Sequence, residues 1–390
     1  MSEWKEYRLG DLVTIKYGKD HKSLSDGVFP VFGSGGLMRK VDSYIYDKPS
    51  LLIPRKGTLN NIIYTEEKFW TVDTMFWTKV DELKTSAKFL YYYLKNFNFN
   101  ALNVGSAVPS LTVPVLNNID IKLPSKAKQS DIVGILSSLD AKIENNRKIC
   151  ANLEAQAQAL FKHWFIDFAP FKDGKFVESE LGMIPEGLIY KRIEDMPHTL
   201  ETGKRPAGGV KGIDNGVPSI GAENIKGLGC YDYSKTKYVT KEYFDSMKKG
   251  VINGYELLIY KDGGKPGYFI PNFAIFGEGY PYKEMCLNEH VFKLDFGNKG
   301  YSLFAYFFFK TKQIMSYLNA QGAKAAIPGI NSKDIEVVMM PSLDNEFVQN
   351  YCNEVEDILT HILVLSKESS RLSTLRDTLL PKLMSGEIKV

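Results

Sequence analysis

The sequence predicts an α+β protein: two pseudo-repeated α/β units joined by two long helices of coiled-coil character. Three observations carry this. The 390-residue length exceeds one ordinary core of roughly 100–200 residues. One ordered set of short motifs occurs twice along the chain. After each occurrence the apolar spacing changes to a heptad. Hydrophobic residues at 44% and aromatics at 13% supply enough core material to argue against disorder.

The first unit spans residues 1–128 and the second 188–341. WKEYRLGDL (4–12) is echoed by LIYKRIEDM (188–196), and each is followed by a Gly-Lys pair, Gly18-Lys19 and Gly203-Lys204. FPVFGSGG (29–36) then answers VPSIGAEN (217–224), and LLIPRKG (51–57) answers LLIYKDG (257–263). FLYYYLK (89–95) answers LFAYFFFK (303–310), and AVPSLT (107–112) answers AIPGIN (326–331). Short β-rich runs broken by Gly, Pro and Asn, plus one aromatic helical stretch, predict a compact α/β unit in each half.

The first long helix is expected over 129–165. Its seam steps by four and three through Ile132, Leu136, Leu139, Ile143, Asn146, Cys150, Leu153, Ala157, Leu160 and Trp164. The second is expected within 342–390, on Tyr351, Val355, Ile358, Ile362, Leu365, Ser369, Leu372, Arg376, Leu379 and Leu383. Asn146, Ser369 and Arg376 are polar in these seams, and such residues fix register at a cost in stability. About 37 residues make roughly 55 Å of helix, more than one small domain covers. Residues 166–187 read as a structured turn that reverses the chain.

Net charge is only +3, yet it is segregated. Residues 1–128 hold 18 Lys and Arg against 13 Asp and Glu, and residues 188–340 hold 20 against 16. The helix 129–165 is neutral, while the turn and the tail 341–390 are each −3. Two basic heads on a neutral or acidic stalk suit a bipartite nucleic-acid reader.

Catalytic motifs are missing. Gly18-Lys19, Gly174-Lys175, Gly203-Lys204 and Gly264-Lys265 are followed by Asp, Phe, Arg and Pro, so none completes a phosphate loop. No Pro-Pro dipeptide exists for a base-flipping methyltransferase loop, no G-x-S-x-G for a hydrolase, and the five histidines lack metal-ligand spacing. Four scattered cysteines without C-x-x-C fit a reducing cytosol, and no apolar run approaches the ~20 residues that span a membrane.

Over its whole length the chain resembles the specificity subunit of type I restriction-modification enzymes. The echoes are WKEYRLGDL, LPSKAKQSDIVGILSSLDAKIENN into the first helix, FKHWFIDFAPF leaving it, ESELGMIPEGL before the second unit and LLPKLMSGEI near the end. Leu188 in place of Trp4, and Glu194 in place of Gly10, make the second unit's beginning less typical. The resemblance implies two target recognition domains, each reading half of a gapped double-stranded DNA site. It also implies helices that pair antiparallel as a spacer and dock two methyltransferase subunits, with restriction/motor subunits completing the complex. S-adenosylmethionine, ATP and magnesium would belong to those partners, this chain would catalyse nothing, and the setting would be a bacterial or archaeal cytoplasm.

Candidate DNA contacts sit in Gly/Pro-rich loops at repeated positions, where a scaffold exposes binding residues. In the first unit they are Lys19, His21, Lys22, Arg39, Lys40, Arg55, Lys56, Asn60 and Ser110. In the second they are Lys204, Arg205, Lys211, Asn224, Lys226, Lys261, Lys265 and Asn331. Arg and Lys bond guanine, Asn and Gln bond adenine, and Lys on phosphate positions without reading. The alternative is a coiled-coil scaffold whose twin domains bind proteins.

Overall fold

The structure is a computed structural model and describes residues 4–179, 182–263, 267–324 and 327–390. It divides into two compact units, residues 1–141 with 372–390, and residues 142–371. The compact units thus cut through both long helices, whereas the expected segments 1–128, 129–165, 166–187, 188–341 and 342–390 divide at helix ends.

In unit 1 the strands Lys5–Arg8 and Asp120–Leu123 pair antiparallel. A four-stranded sheet follows in the order Val13–Tyr17, Met75–Val80, Ser50–Pro54, Ile63–Thr65. A second sheet has the order Gly36–Val41, Asp26–Gly33, Trp70–Thr71, the last two parallel. All five residues of Ser50–Pro54 are buried because both faces are covered. Leu51 and Ile53 meet Phe89 and Leu90 of the helix Ala87–Lys95, while Leu52 points the other way to Phe69, Met75 and Trp77. Fully burying each such leucine contributes about 2–3 kcal/mol. Ser86 caps the helix, its Oγ accepting the Phe89 N–H at 3.2 Å.

Unit 2 repeats this topology strand for strand. Tyr190–Arg192 pairs antiparallel with Met339–Pro341. The four-stranded order is Thr199–Thr202, Val291–Asp295, Leu257–Tyr260, Phe273–Ile275, and the three-stranded order is Lys237–Val239, Val217–Ile220, Cys286–Leu287. Again the last two are parallel. Leu257 and Ile259 face Phe304 of the helix Lys299–Phe309, and Leu258 faces Ala274 and Phe276. The helix Lys312–Gly322 stands where unit 1 has only the single 3₁₀ turn Phe99–Leu102. The expected turn 166–187 contains the hairpin Phe176–Ser179 with Gly182–Pro185.

The long helices are Lys126–Phe165 and Glu346–Ser385, each 40 residues and so about 60 Å. Within unit 2 they run antiparallel: Asn146 meets Ser369, the Cys150 thiol meets the Ile362 carbonyl, and Tyr351 donates to the Ala157 carbonyl at 3.1 Å. Within unit 1, Arg376 donates to Asp140 at 2.7 Å. Ile132, Leu136, Val355, Ile362 and Leu365 are buried, and Leu139, Ile143, Leu153, Leu160, Ile358, Leu372 and Leu379 are half-buried. Asn146 is fully buried, its Nδ2 donating to Glu368 at 2.7 Å and to Ser369 at 3.3 Å. Among the described residues no helix is long and apolar enough to cross a membrane, and no group of His, Cys, Asp and Glu is placed to hold a metal ion.

Candidate nucleic-acid interface

Each unit gathers its repeated loops around two points where the backbone admits no side chain. A Cβ on Gly18 would lie 2.0 Å from the Val72 carbonyl oxygen, and one on Gly203 would lie 1.7 Å from that of Leu287. The chain presses onto the three-stranded sheet there, and the next residue in each case is an exposed lysine, Lys19 and Lys204. The Lys19 N–H donates to the Thr71 carbonyl at 2.8 Å, and Trp70 Nε1 donates to the Lys19 carbonyl at 3.0 Å. The Lys204 carbonyl accepts from the Tyr243 hydroxyl at 2.9 Å. In both cases the main chain is fixed while the ammonium reaches into solvent.

The second point is the turn after the central strand. The Gly57 N–H donates to the Pro109 carbonyl at 3.0 Å, and the Gly263 N–H to that of Pro328 at 2.8 Å. Both glycines have left-handed backbones, φ +92° and +128°, which suits a residue without Cβ. Just before them, Arg55 Nε donates to the Asp73 carbonyl at 2.7 Å and Lys261 Nζ to that of Glu289 at 3.3 Å. Arg55 and Lys261 are therefore half-buried ties between equivalent loops, each side chain about 26% exposed. Lys56, next in line, is exposed and bridges the backbone of half-buried Ser110; its counterpart Asp262 bridges Gly329 and pairs with His290.

Of the other candidates in unit 1, Lys22, Lys40 and Asn60 are exposed. Half-buried Arg39 braces the 21–26 loop, donating to the carbonyls of His21 at 2.9 Å and Leu24 at 2.6 Å and pairing with Asp26 at 3.4 Å. His21 lies half-buried in that loop, with Nδ1 buried. In unit 2, Lys211 and Lys226 are exposed, and exposed Arg205 pairs with Glu289 at 2.9 Å. Asn224 departs from expectation: it is 1% exposed, its Oδ1 accepting the Gly221 N–H and its Nδ2 donating to the Asp232 carbonyl. Both ends of the amide close a turn, so it presents nothing to a duplex. Asn331 spends its Oδ1 capping the helix Ser332–Glu336. Lys265 lies outside the described residues.

The acidic members of this surface escaped sequence reasoning. Glu289 holds Arg205 at 2.9 Å and His290 Nε2 at 3.3 Å, and Glu223 accepts from Lys237 at 2.6 Å. Burial works against the ionised Glu223, yet the Lys237 bond leaves its carboxyl below the ordinary value. The collinearity of VDTM (72–75) with NEHV (288–291) was the available signal, since it aligns Asp73 with Glu289. Carboxylates on such a face accept from base amino groups or hold cations in place. The arrangement suits binding of an anionic duplex by exposed lysines, with turns held rigid beneath them.

Both units are tied to the first long helix by an equivalent tyrosine. Tyr92 donates to Asp140 at 2.6 Å in unit 1, and Tyr306 donates to Glu154 at 2.9 Å in unit 2. Burial first, and then these carboxylates, push both phenols above the ordinary tyrosine pKa.

Comparison with known proteins agrees with this geometry. Residues 1–155 match the family described as type I restriction modification DNA specificity domain. The type I restriction enzyme MjaIX specificity subunit of Methanocaldococcus jannaschii is 25% identical over 356 residues, covering 89% of this chain and 79% of the relative. The HindI specificity subunit of Haemophilus influenzae is 25% identical over 476 residues, covering 100% of both chains. A solved S subunit of a type I restriction-modification system from M. genitalium has the same fold, with TM-score 0.60 and 16% identity over 98% of this chain and 96% of that one.

Proposed function

We propose that this chain, whose residues 1–155 carry a type I restriction-modification DNA specificity domain, is the sequence-specificity subunit of such a complex. Each head reads one half of a bipartite gapped DNA site, and the helix pair sets the unread gap and docks two methyltransferase subunits. The observation that carries this reading is the repetition of one topology, with exposed lysines following the same sterically closed glycines in both heads. An open apolar cavity of about 1030 Å³ beside the end of the first long helix, lined by Phe161, Phe165, Met183 and Ile314 among others, supports the docking role.

Chemistry lies with the partners in this reading. S-adenosylmethionine serves the methyltransferase subunits, ATP and magnesium serve the restriction/motor subunits, and this chain is non-catalytic. The complex works in the cytoplasm of a bacterium or archaeon. Sequencing methylated positions in the host genome should show a split motif. Inserting matched helical turns into both long helices should lengthen its gap; an unchanged gap would refute the spacer role. A gel-shift series with the methyltransferase partner, on random and enriched duplexes, tests the reading against a protein-binding scaffold.

A further inference from the structure

Each head presents a branched apolar side chain to water at the same place in the repeat. Val108 is 54% exposed and Ile327 is 75% exposed. They are the second residues of AVPSLT and AIPGIN, each followed by proline. A single exposed apolar residue is ordinary. Two at equivalent positions, each on a turn fixed beside the site's central loop, are not explained by chance exposure.

The fixation is explicit in both units. Pro109 and Pro328 accept the N–H of Gly57 and Gly263, and the N–H groups of Leu111 and Ile330 donate to the carbonyls of Arg55 at 2.9 Å and Lys261 at 2.8 Å. Asn103 Oδ1 also accepts from the N–H of Gly105 at 2.9 Å and of Ser110 at 2.8 Å, closing the Val108 loop. The Gly329 N–H donates to Gly322 at 2.9 Å below Ile327. β-Branched side chains are stiff at χ1, so little freedom is lost when they are pinned. A phosphate gains nothing from them. Bases do, through the thymine methyl in the major groove or through an opened base step.

Resting on the reading of the heads as DNA readers, we propose that Val108 and Ile327 make apolar contact with the bases of their respective half-sites and so help determine sequence preference. Deleting a buried methyl group costs about fourfold in affinity. Val108→Ala, which removes two carbons, should therefore weaken cognate binding by the methyltransferase complex up to about 15-fold, and Ile327→Ala, which removes three, up to about 60-fold, leaving the salt dependence unchanged because no counterion is involved. Val108→Ile should bind within about twofold of the natural protein.

The test is a salt series of affinities on the cognate duplex, with Lys56→Ala as the control that lowers the slope by about one. Loss of Val108→Ala sensitivity on a duplex carrying deoxyuridine for thymine identifies the methyl. A 2-aminopurine signal present with the natural protein and absent with Val108→Ala identifies the opened step. Unchanged affinity and unchanged methylated sequences in both alanine variants, with Lys56→Ala still acting, would overturn the proposal while sparing the DNA reading. No preference of the natural complex for any duplex would overturn the reading itself.

Discussion

Removing the Asp140 carboxylate should be among the costliest single changes on the helices of unit 1. Its two oxygens accept from Tyr92 at 2.6 Å and from Arg376 at 2.7 Å, so one group joins the globular part of unit 1 to both long helices. Tyr92 is 1% exposed, and the Arg376 and Asp140 side chains are 17% and 32% exposed. Hydrogen bonds to a charged group contribute about 1.5–3 kcal/mol each, and stranding a buried partner adds to the loss. Arg376 keeps its bond to Asp377, and water reaches part of the carboxylate, so we expect Asp140→Ala to cost about 2–3 kcal/mol. For a unit of this size that is roughly 5–10 °C in melting temperature. Scanning calorimetry of the whole chain measures it. Asp140→Ala with Arg376→Met should recover part of the loss, because a partly buried guanidinium left with Asp377 alone is gone. A shift below about 1 °C, or a double variant as unstable as the sum of the single ones, would refute the reasoning.

Gly203→Ala should destabilise unit 2 by about 3 kcal/mol or more, because the contacted Leu287 carbonyl is backbone and cannot yield. Gly35→Ala, with nothing within 4 Å, should cost under about 0.5 kcal/mol; equal urea midpoints for the two variants would contradict this. Burial pushes the Cys286 thiol up to about 11 and raises that of Cys352 as well. Burial raises the Cys230 thiol too, but that residue is exposed where the other two are buried, so Cys230 should be alkylated by iodoacetamide in the native protein and Cys286 and Cys352 only in urea; mass spectrometry showing equal native rates would rule it out. The Lys333 bond lowers the pKa of Glu194, so its stabilising contribution is full above the unfolded value near pH 4.3 and is lost as pH falls through the lower folded value. Lys333→Ala should melt below the natural protein at pH 7 and together with it at pH 2, and a gap that persists at pH 2 would disprove the coupling.

What the residues disclosed follows from how tightly the backbone constrains them. The LLI runs are legible twice because both strands are buried on both faces, and the Gly-Lys pairs because only glycine fits against a carbonyl oxygen. The helix seams are legible because burial recurs at a fixed period. Asn224 was misleading because an asparagine that closes a turn has the same local sequence context as one awaiting adenine. The ties of Arg55 to Asp73 and of Lys261 to Glu289 join residues 18 and 28 positions apart, a pairing that periodicity does not encode. The helix Lys312–Gly322 escaped notice because its counterpart in the other half is a single 3₁₀ turn, Phe99–Leu102, too short to show a helical period.

The short ribbons that close each head carry a further consequence. Lys5–Arg8 lies against Asp120–Leu123, and Tyr190–Arg192 against Met339–Pro341. Each ribbon therefore brings the first and last strands of a head together beside the start of a long helix, with the rest of the head strung between them. A head is in this sense a cassette: genetic exchange with both junctions in a ribbon would replace one head whole and leave the long helices intact. Under the proposed function, two such cassettes on one framework would let a small repertoire of heads generate new combinations without new surfaces having to evolve residue by residue.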